Sequence, residues 1–225
     1  MENVKIDRRH TYGIMLDTET ANGLDDPLFY DCGWEVIDSH GRKYAERSFV
    51  NKDIFLGERE LMKSAYYAEK LPHYWTEIWC GQRKMATTYE IKKALRADIE
   101  KYGCEFICAH NARFDQKSLN TTQRYVTKSK YRFFVPYGVE WWDTMKMAQD
   151  VICQMPTYKK FCEENGYICK NGQLRKTAEI LYRFINKDDN FQECHTGLED
   201  VDIERQILAY CVRQHKKMRK KLWED

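Results

Sequence analysis

The sequence predicts an α/β protein with a mixed sheet flanked by helices: an antiparallel meander first, parallel strands after it. Two observations carry this. The first three strand-like segments are joined by short connections, which favour antiparallel neighbours. Farther along, short apolar segments alternate with helical periodicity, the pattern of parallel additions.

The elements follow in order. YGIMLDTE opens as an apolar run that ends in two acids, a strand from about Tyr12 to Asp17. Phe29 to Asp38 and Lys43 to Val50 are two more strands, with Ser39-His40-Gly41-Arg42 as the hairpin turn between them. Thr87 to Tyr102 places Ile91, Leu95 and Ile99 on one helical face, and Gly103 stops that helix. Glu105 to Ala109 is a short buried strand, and a helix begins near Ala112 with Asn111 able to cap it. Val139 to Trp142 is a fifth strand, followed by Asp143-Thr144 as a cap for the next helix. Helical patterns continue at 157–165, at 174–186 and from Leu198 into a basic tail at 213–225. Residues 52–86, rich in aromatics and broken by Pro72, fit the alternation least and read as a helical insertion over the sheet.

Length and composition agree with one domain over 1–225. Hydrophobic residues are 43% and aromatics 14%, while Gly and Pro number 11 and 4, which excludes collagen-like, low-complexity and mainly disordered chains. There is no apolar run long enough for a membrane span, and the start MENVKIDRRH lacks the apolar stretch of a signal peptide. The nine cysteines are scattered without a CxxC pair and read as buried or idle thiols, so a cytoplasmic protein is expected. A net charge of +2 says nothing about partners.

Three D-x-E pairs occur: Asp17/Glu19, Asp98/Glu100 and Asp202/Glu204. The last two lie in predicted helices, where residues two apart diverge by about 200°, so they are expected to be solvated. Only Asp17/Glu19 follows an apolar strand, where i and i+2 share a face. Two carboxylates crowded there are costly unless a cation neutralises them. Alone, the pair fits a metal site or a surface loop. A further acid, Asp115, stands in HNARFD at 110–115, near the carboxyl end of a strand, where α/β sheets commonly carry sites. His195-Thr196-Gly197-Leu198-Glu199-Asp200 places a histidine in a loop five residues before an acid that opens a helix.

Taken together, DTET at 17–20, HNARFD at 110–115 and HTGLED at 195–200 resemble, in order and spacing, the three motifs of the DEDDh exonucleases. This superfamily includes the proofreading subunit of bacterial DNA polymerase III, ribonuclease T and the oligoribonucleases. The resemblance covers roughly residues 11–212. It implies a ribonuclease H-like fold with a five-stranded mixed sheet, and a metal-dependent 3′→5′ exonuclease acting on single-stranded ends. It also implies two Mg²⁺ or Mn²⁺ ions held by Asp17, Glu19, Asp115 and Asp200, with His195 as the general base. Hard cations want oxygen ligands, so carboxylates suit them and the thiols do not. Two departures stand out: DTETANGL has one residue more before Gly23-Leu24 than the family's usual DTETTGL, and the 52–86 insertion is atypical.

By the same resemblance, Thr20, Leu24 and Phe114 are expected to touch the terminal nucleotide, beside Asn111; core packing is the alternative for Leu24 and Phe114. Residues 113–132 hold six bases (Arg113, Lys117, Arg124, Lys128, Lys130, Arg132) with Tyr125 and Tyr131 among them, a composition suited to phosphate contact and base stacking. Residues 213–221 hold six more. A solvated helix face and a tail complementing its helix dipole are the plainer readings. The expected partner is single-stranded nucleic acid, DNA slightly favoured, with no membrane; a homodimer is compatible with the family. The alternatives are an RNA-trimming or oligoribonucleotide-degrading exonuclease and, in another class, a non-catalytic nucleic-acid-binding module.

Overall fold

The computed structural model describes residues 6–7, 9–63, 65, 68–131, 133–193 and 195–224. The meander forms as expected. β1 (Tyr12–Ala21), β2 (Leu28–Asp38) and β3 (Lys43–Asn51) pair antiparallel in succession. The next segment holds α1 (Lys52–Phe55), α2 (Arg59–Lys63), a 3₁₀ turn (Ala68–Lys70) and α3 (Leu71–Trp79), and then β4 (Lys84–Ala86), which lies parallel beside β3. After α4 (Thr88–Tyr102), β5 (Phe106–Ala109) runs parallel to β1. After α5 (Ala112–Thr127), β6 (Glu140–Asp143) runs parallel to β5. α6 (Thr144–Val151), α7 (Pro156–Glu164), α8 (Ala178–Asn186) and α9 (Gly197–Arg213) complete the chain.

The sheet therefore has six strands in the order β4-β3-β2-β1-β5-β6, not five. The additional strand falls inside 52–86, so that segment is not wholly helical. A three-residue strand, Lys-Met-Ala, is too short to show the two-residue alternation by which strands are read. Two more boundaries move. β1 continues through Glu19 to Ala21, so both acids lie within the strand. The helix expected from 174 begins at Ala178, because Leu174 forms an isolated bridge with Ile168.

Strand parity assigns each residue of β1 to a face. Tyr12, Ile14 and Leu16 enter a core with Ile91, Leu95 and Ile99 of α4 and Leu119 of α5. Each such fully buried aliphatic side chain stabilises the fold by about 1.5–3 kcal/mol. Met15 enters the opposite core, with Met147 of α6, Leu181 of α8 and Val201 and Ile207 of α9. Asp17 and Glu19 share the parity of Met15 and so face α9. A third cluster joins Tyr30, Val50, Phe55, Met62 and Tyr74, seating the 52–79 segment beside β2 and β3.

The sheet meets the chain again at both ends of α9. Gly33 of β2 lies against the first turn of that helix: a Cβ there would stand 2.4 Å from the Leu198 nitrogen and 2.5 Å from the Gly197 carbonyl carbon. Beyond α9 the chain returns to β6, where Lys221 bridges antiparallel to Trp142 and the Leu222 amide donates to the Trp141 carbonyl at 2.7 Å. The basic tail is thus docked, and part of its charge is met within the molecule. Arg219 meets Asp150 at 2.8 Å, Lys221 meets Glu140 at 2.5 Å, and Lys220 lies over the Trp142 ring.

Candidate metal centre

The carboxyl ends of β1, β5 and β6 open into a cleft of about 640 Å³. Asp17, Glu19, Asn111, Phe114, Asp115, His195 and Asp200 all line it. These residues come from β1, the start of α5 and the start of α9, and nothing but the fold brings them together. Thr20, Leu24, Arg124 and Lys128 do not line it. Leu24 is 78% exposed on the β1–β2 connection, so core packing does not explain it. Arg124 and Lys128 lie farther along α5 and at its end, against other cavities. Arg132 and Cys194 are outside the described residues; the remaining eight cysteines are free thiols, five of them buried.

Each acid is placed by a separate piece of local structure. Asp115 is buried, and its Oδ1 accepts from the Thr18 amide at 3.1 Å and the Thr18 hydroxyl at 2.8 Å. Thr18 is on the other face of β1 from Asp17 and Glu19, so the strand holds α5 with one face and offers acids with the other. Asn111 does occupy the N-cap of α5, but in a left-handed conformation (φ 65°) and with no capping bond from its side chain. Its backbone N–H donates instead to Asp143 Oδ1 at 3.1 Å, and the same oxygen caps α6 through the Met145 backbone N–H at 2.9 Å. Asp143 is accordingly a structural cap.

The start of α9, which carries Asp200, is pinned by Asp31 of β2. Asp31 Oδ2 accepts from Gly197 N at 2.9 Å, Tyr74 Oη at 2.7 Å and an Arg83 guanidinium nitrogen at 2.9 Å. A carboxylate at a helix N-terminus is favoured by the helix dipole. Arg83 itself is buried and also meets Glu77 and Glu199. The 52–86 segment is therefore tied, through Tyr74 and Arg83, to the helix that carries Asp200.

The cleft also contains an acid expected in solvent. Glu204 is buried, lines the cleft and accepts from the His110 amide at 3.0 Å. Asp98 is not solvated either. It is buried under Arg47, whose Nε lies at 2.6 Å, and accepts from the Trp34 indole at 3.0 Å. Of the two helical D-x-E pairs, only Glu100 is exposed. Glu193 also lines the cleft. His110 is held on both ring nitrogens, by Thr144 Oγ1 at 2.9 Å and the Lys176 carbonyl at 2.7 Å, so it fastens the wall of the cleft.

The electrostatics are those of acids without enough positive charge. Burial, then the neighbouring carboxylates of Glu204, Asp115, Asp200 and Glu19, hold Asp17 well above the usual carboxylate range. Burial and Asp31 push Glu19 up to about 8; burial and Glu193 push Asp200 up to about 9. Asp115 rises to about 7 through burial, opposed by its Thr18 hydrogen bonds. Lys70, at the end of the 3₁₀ turn, favours the ionised forms of Glu19, Glu193 and Asp200. His195 is lowered from its ordinary value, by burial first and Lys70 next, and is thus neutral at pH 7. Its Nδ1 lies 3.7 Å from Glu193 Oε2.

This donor set fits a divalent cation. One ligand atom each from Glu19, His195 and Asp200 lie within 4.8 Å of one another, and Glu179, Glu193 and His195 form a second such group. Asp200 Oδ1 is buried with no hydrogen-bond partner, an unmet acceptor that a cation would satisfy. Asp17 and Asp115 line the same cleft without belonging to either group of three. The predominance of carboxylate oxygens suits a hard ion such as Mg²⁺ or Mn²⁺.

No protein-family model matches the chain, and no curated protein matches it. No helix among the described residues is long and apolar enough to cross a membrane.

Proposed function

We propose that this protein is a metal-dependent exonuclease of the DEDDh, ribonuclease H-like type that removes nucleoside monophosphates from the 3′ end of single-stranded nucleic acid, with DNA slightly favoured over RNA. One observation carries the reading: Asp17, Glu19, Asp115, His195 and Asp200, separated by up to most of the chain, meet in one cleft. Their order in the sequence is that of the DEDDh exonucleases.

In this reading Asp17, Glu19, Asp115 and Asp200 hold two Mg²⁺ or Mn²⁺ ions. Bound there, such ions supply a Lewis acid and a water that ionises near neutral pH. His195 accepts the proton of the attacking water, a role open to it because its imidazole is neutral at pH 7. Glu179 favours the imidazolium that results. Phe114, half-buried in the cleft wall, offers a ring to the terminal base or sugar. Thr20 and Leu24 lie outside the cleft lining; Leu24, exposed on the β1–β2 connection against Lys117, is offered to the strand there.

The test uses 5′-labelled single-stranded DNA and RNA with Mg²⁺, and the same reactions with a chelator. The expected result is a ladder that shortens from the unlabelled end only when the metal is present, with the DNA faster. His195→Ala should lower turnover about 10²–10⁴-fold while leaving oligonucleotide binding in place. Intact oligomers with Mg²⁺, or shortening that ignores the chelator, would overturn the assignment; faster RNA trimming would move it to an RNA-processing enzyme.

A further inference from the structure

A trough of about 430 Å³ runs along the exposed side of α5, lined by Arg113, Lys117, Arg124, Phe133 and Trp223 together with Asp25 and Asp26. Arg113, Lys117 and Arg124 fall within an arc of about 40° on the helix and span about 16 Å of its axis. Facing them are two large aromatic side chains that the fold leaves in solvent: Trp223 is 67% exposed and Phe133 56%. The Arg113 guanidinium lies 5.8 Å from the Trp223 ring centroid. Trp223 is not a loose end. Leu222, its neighbour, is buried, and the backbone on either side is hydrogen-bonded, Leu222 to Trp141 and Glu224 to Lys221. An exposed indole on a fixed backbone costs little ordering when something stacks on it. The β1–β2 connection forms the remaining wall. There Lys117 Nζ donates to the Leu24 carbonyl at 3.0 Å and Arg124 lies 3.8 Å from Asp26, so the two carboxylates leave the α5 side as the path for phosphates.

Phe114, which lines the acidic cleft, and Arg113, which lines the trough, are neighbours in the first turn of α5. We infer that the trough is a second nucleic-acid subsite, which holds the single strand upstream of the 3′ end by contacts of Arg113, Lys117 and Arg124 to phosphates and by stacking of a base on Trp223. Basic side chains with interleaved aromatics are the chemistry of sequence-tolerant strand binding. The inference rests on the exonuclease reading for what lies in the cleft, but the trough can be tested without turnover.

The experiment measures binding of fluorescein-labelled dT3 and dT12 to the full chain carrying His195→Ala, in Mg²⁺, by fluorescence anisotropy. Trp223→Ala is expected to weaken dT12 about tenfold and dT3 less than about twofold, with Trp223→Phe recovering most of the loss. Lys117→Ala and Arg124→Ala, which leave the tail untouched, should each lower the slope of log affinity against log salt by about 0.7 for dT12. Undiminished dT12 binding by Trp223→Ala, or equal losses for dT3 and dT12, would overturn the inference. So would displacement of dT12 by polyglutamate of matched charge as readily as by unlabelled dT12, which would make the trough an acidic-peptide site. If the unsubstituted chain shortens no oligomer while these length-dependent losses hold, the nuclease reading falls and the subsite stands.

Discussion

Glu204 sits four residues after Asp200, one turn along α9, and the two side chains therefore share a helical face. Its spacing from Asp202 sends it away from that residue, which is why a comparison restricted to the D-x-E pair places it in solvent. The relation to Asp200 was available in the sequence, but it became meaningful only once that face of α9 was known to look at β1. Burial and the neighbouring acids hold Glu204 well above the usual carboxylate range, and Glu204→Gln keeps an acceptor for the His110 amide while removing a carboxyl that could ionise when a cation enters the cleft. Mg²⁺ affinity, measured by isothermal titration, should fall about 10–100-fold, the range for groups that support metal ligands; an unchanged affinity would make Glu204 a purely structural clamp. Asp98 shows the opposite outcome for the same residue pattern, a buried acid satisfied by Arg47 and Trp34 and remote from the cleft.

At the scale of elements, the start of α9 depends on a single small residue of the sheet. Gly33 lets the first turn of the helix touch the sheet, and Gly197 opposite it has a carbon of the Asp31 carboxylate at 3.4 Å from where its Cβ would be. Gly33→Ala should lift the helix start, destabilise the fold by about 1–3 kcal/mol in urea unfolding, and weaken Mg²⁺ binding through Asp200. Gly23→Ala, which meets nothing within 4 Å, is the matched control and should change stability by less than about 0.5 kcal/mol. The meander, α4 and the strands either side of α5 were legible because their periodicity is long and their stops are marked, as by the Thr87/Glu90 capping box and the left-handed Gly103. β4 was not, and neither was the tie from Tyr74 and Arg83 to Asp31, because it joins side chains distant in sequence by ordinary polar types that carry no local signature.

For the molecule as a whole, a net charge of +2 conceals an uneven distribution: acids gathered at the strand ends, bases along α5 and in the docked tail. The acidic motifs were readable in order from the sequence, whereas their convergence and the internal pairing of the tail required the fold. The gathering has a consequence for stability. Glu19, Asp115 and Asp200 titrate near 8, 7 and 9 in the folded, metal-free protein, against about 4 when unfolded. The unfolded chain loses these protons first, so metal-free stability should fall as pH rises from about 4 to 9 and level off above that. Thermal melts in chelator should show this decline, and Mg²⁺ should raise Tm more at pH 8 than at pH 5. A rise in Tm with pH in chelator would mean that the cluster is not strained by its own charge.

The docked C-terminal segment also settles how the sheet ends. Residues 220–222 occupy the outer backbone of β6, through the Asp143 amide to the Lys220 carbonyl and the Leu222 amide to the Trp141 carbonyl. At the opposite margin β4 covers only Phe49–Asn51 of β3, and among the described residues Lys43–Ser48 of β3 pair with no strand on that side. Open margins are where strands from neighbouring copies add on and aggregation begins. With the β6 margin occupied, the side of the sheet left for a neighbouring strand is that of β3 and β4, where the exposed charges of Lys43, Glu46 and Arg47 along β3 oppose strand addition.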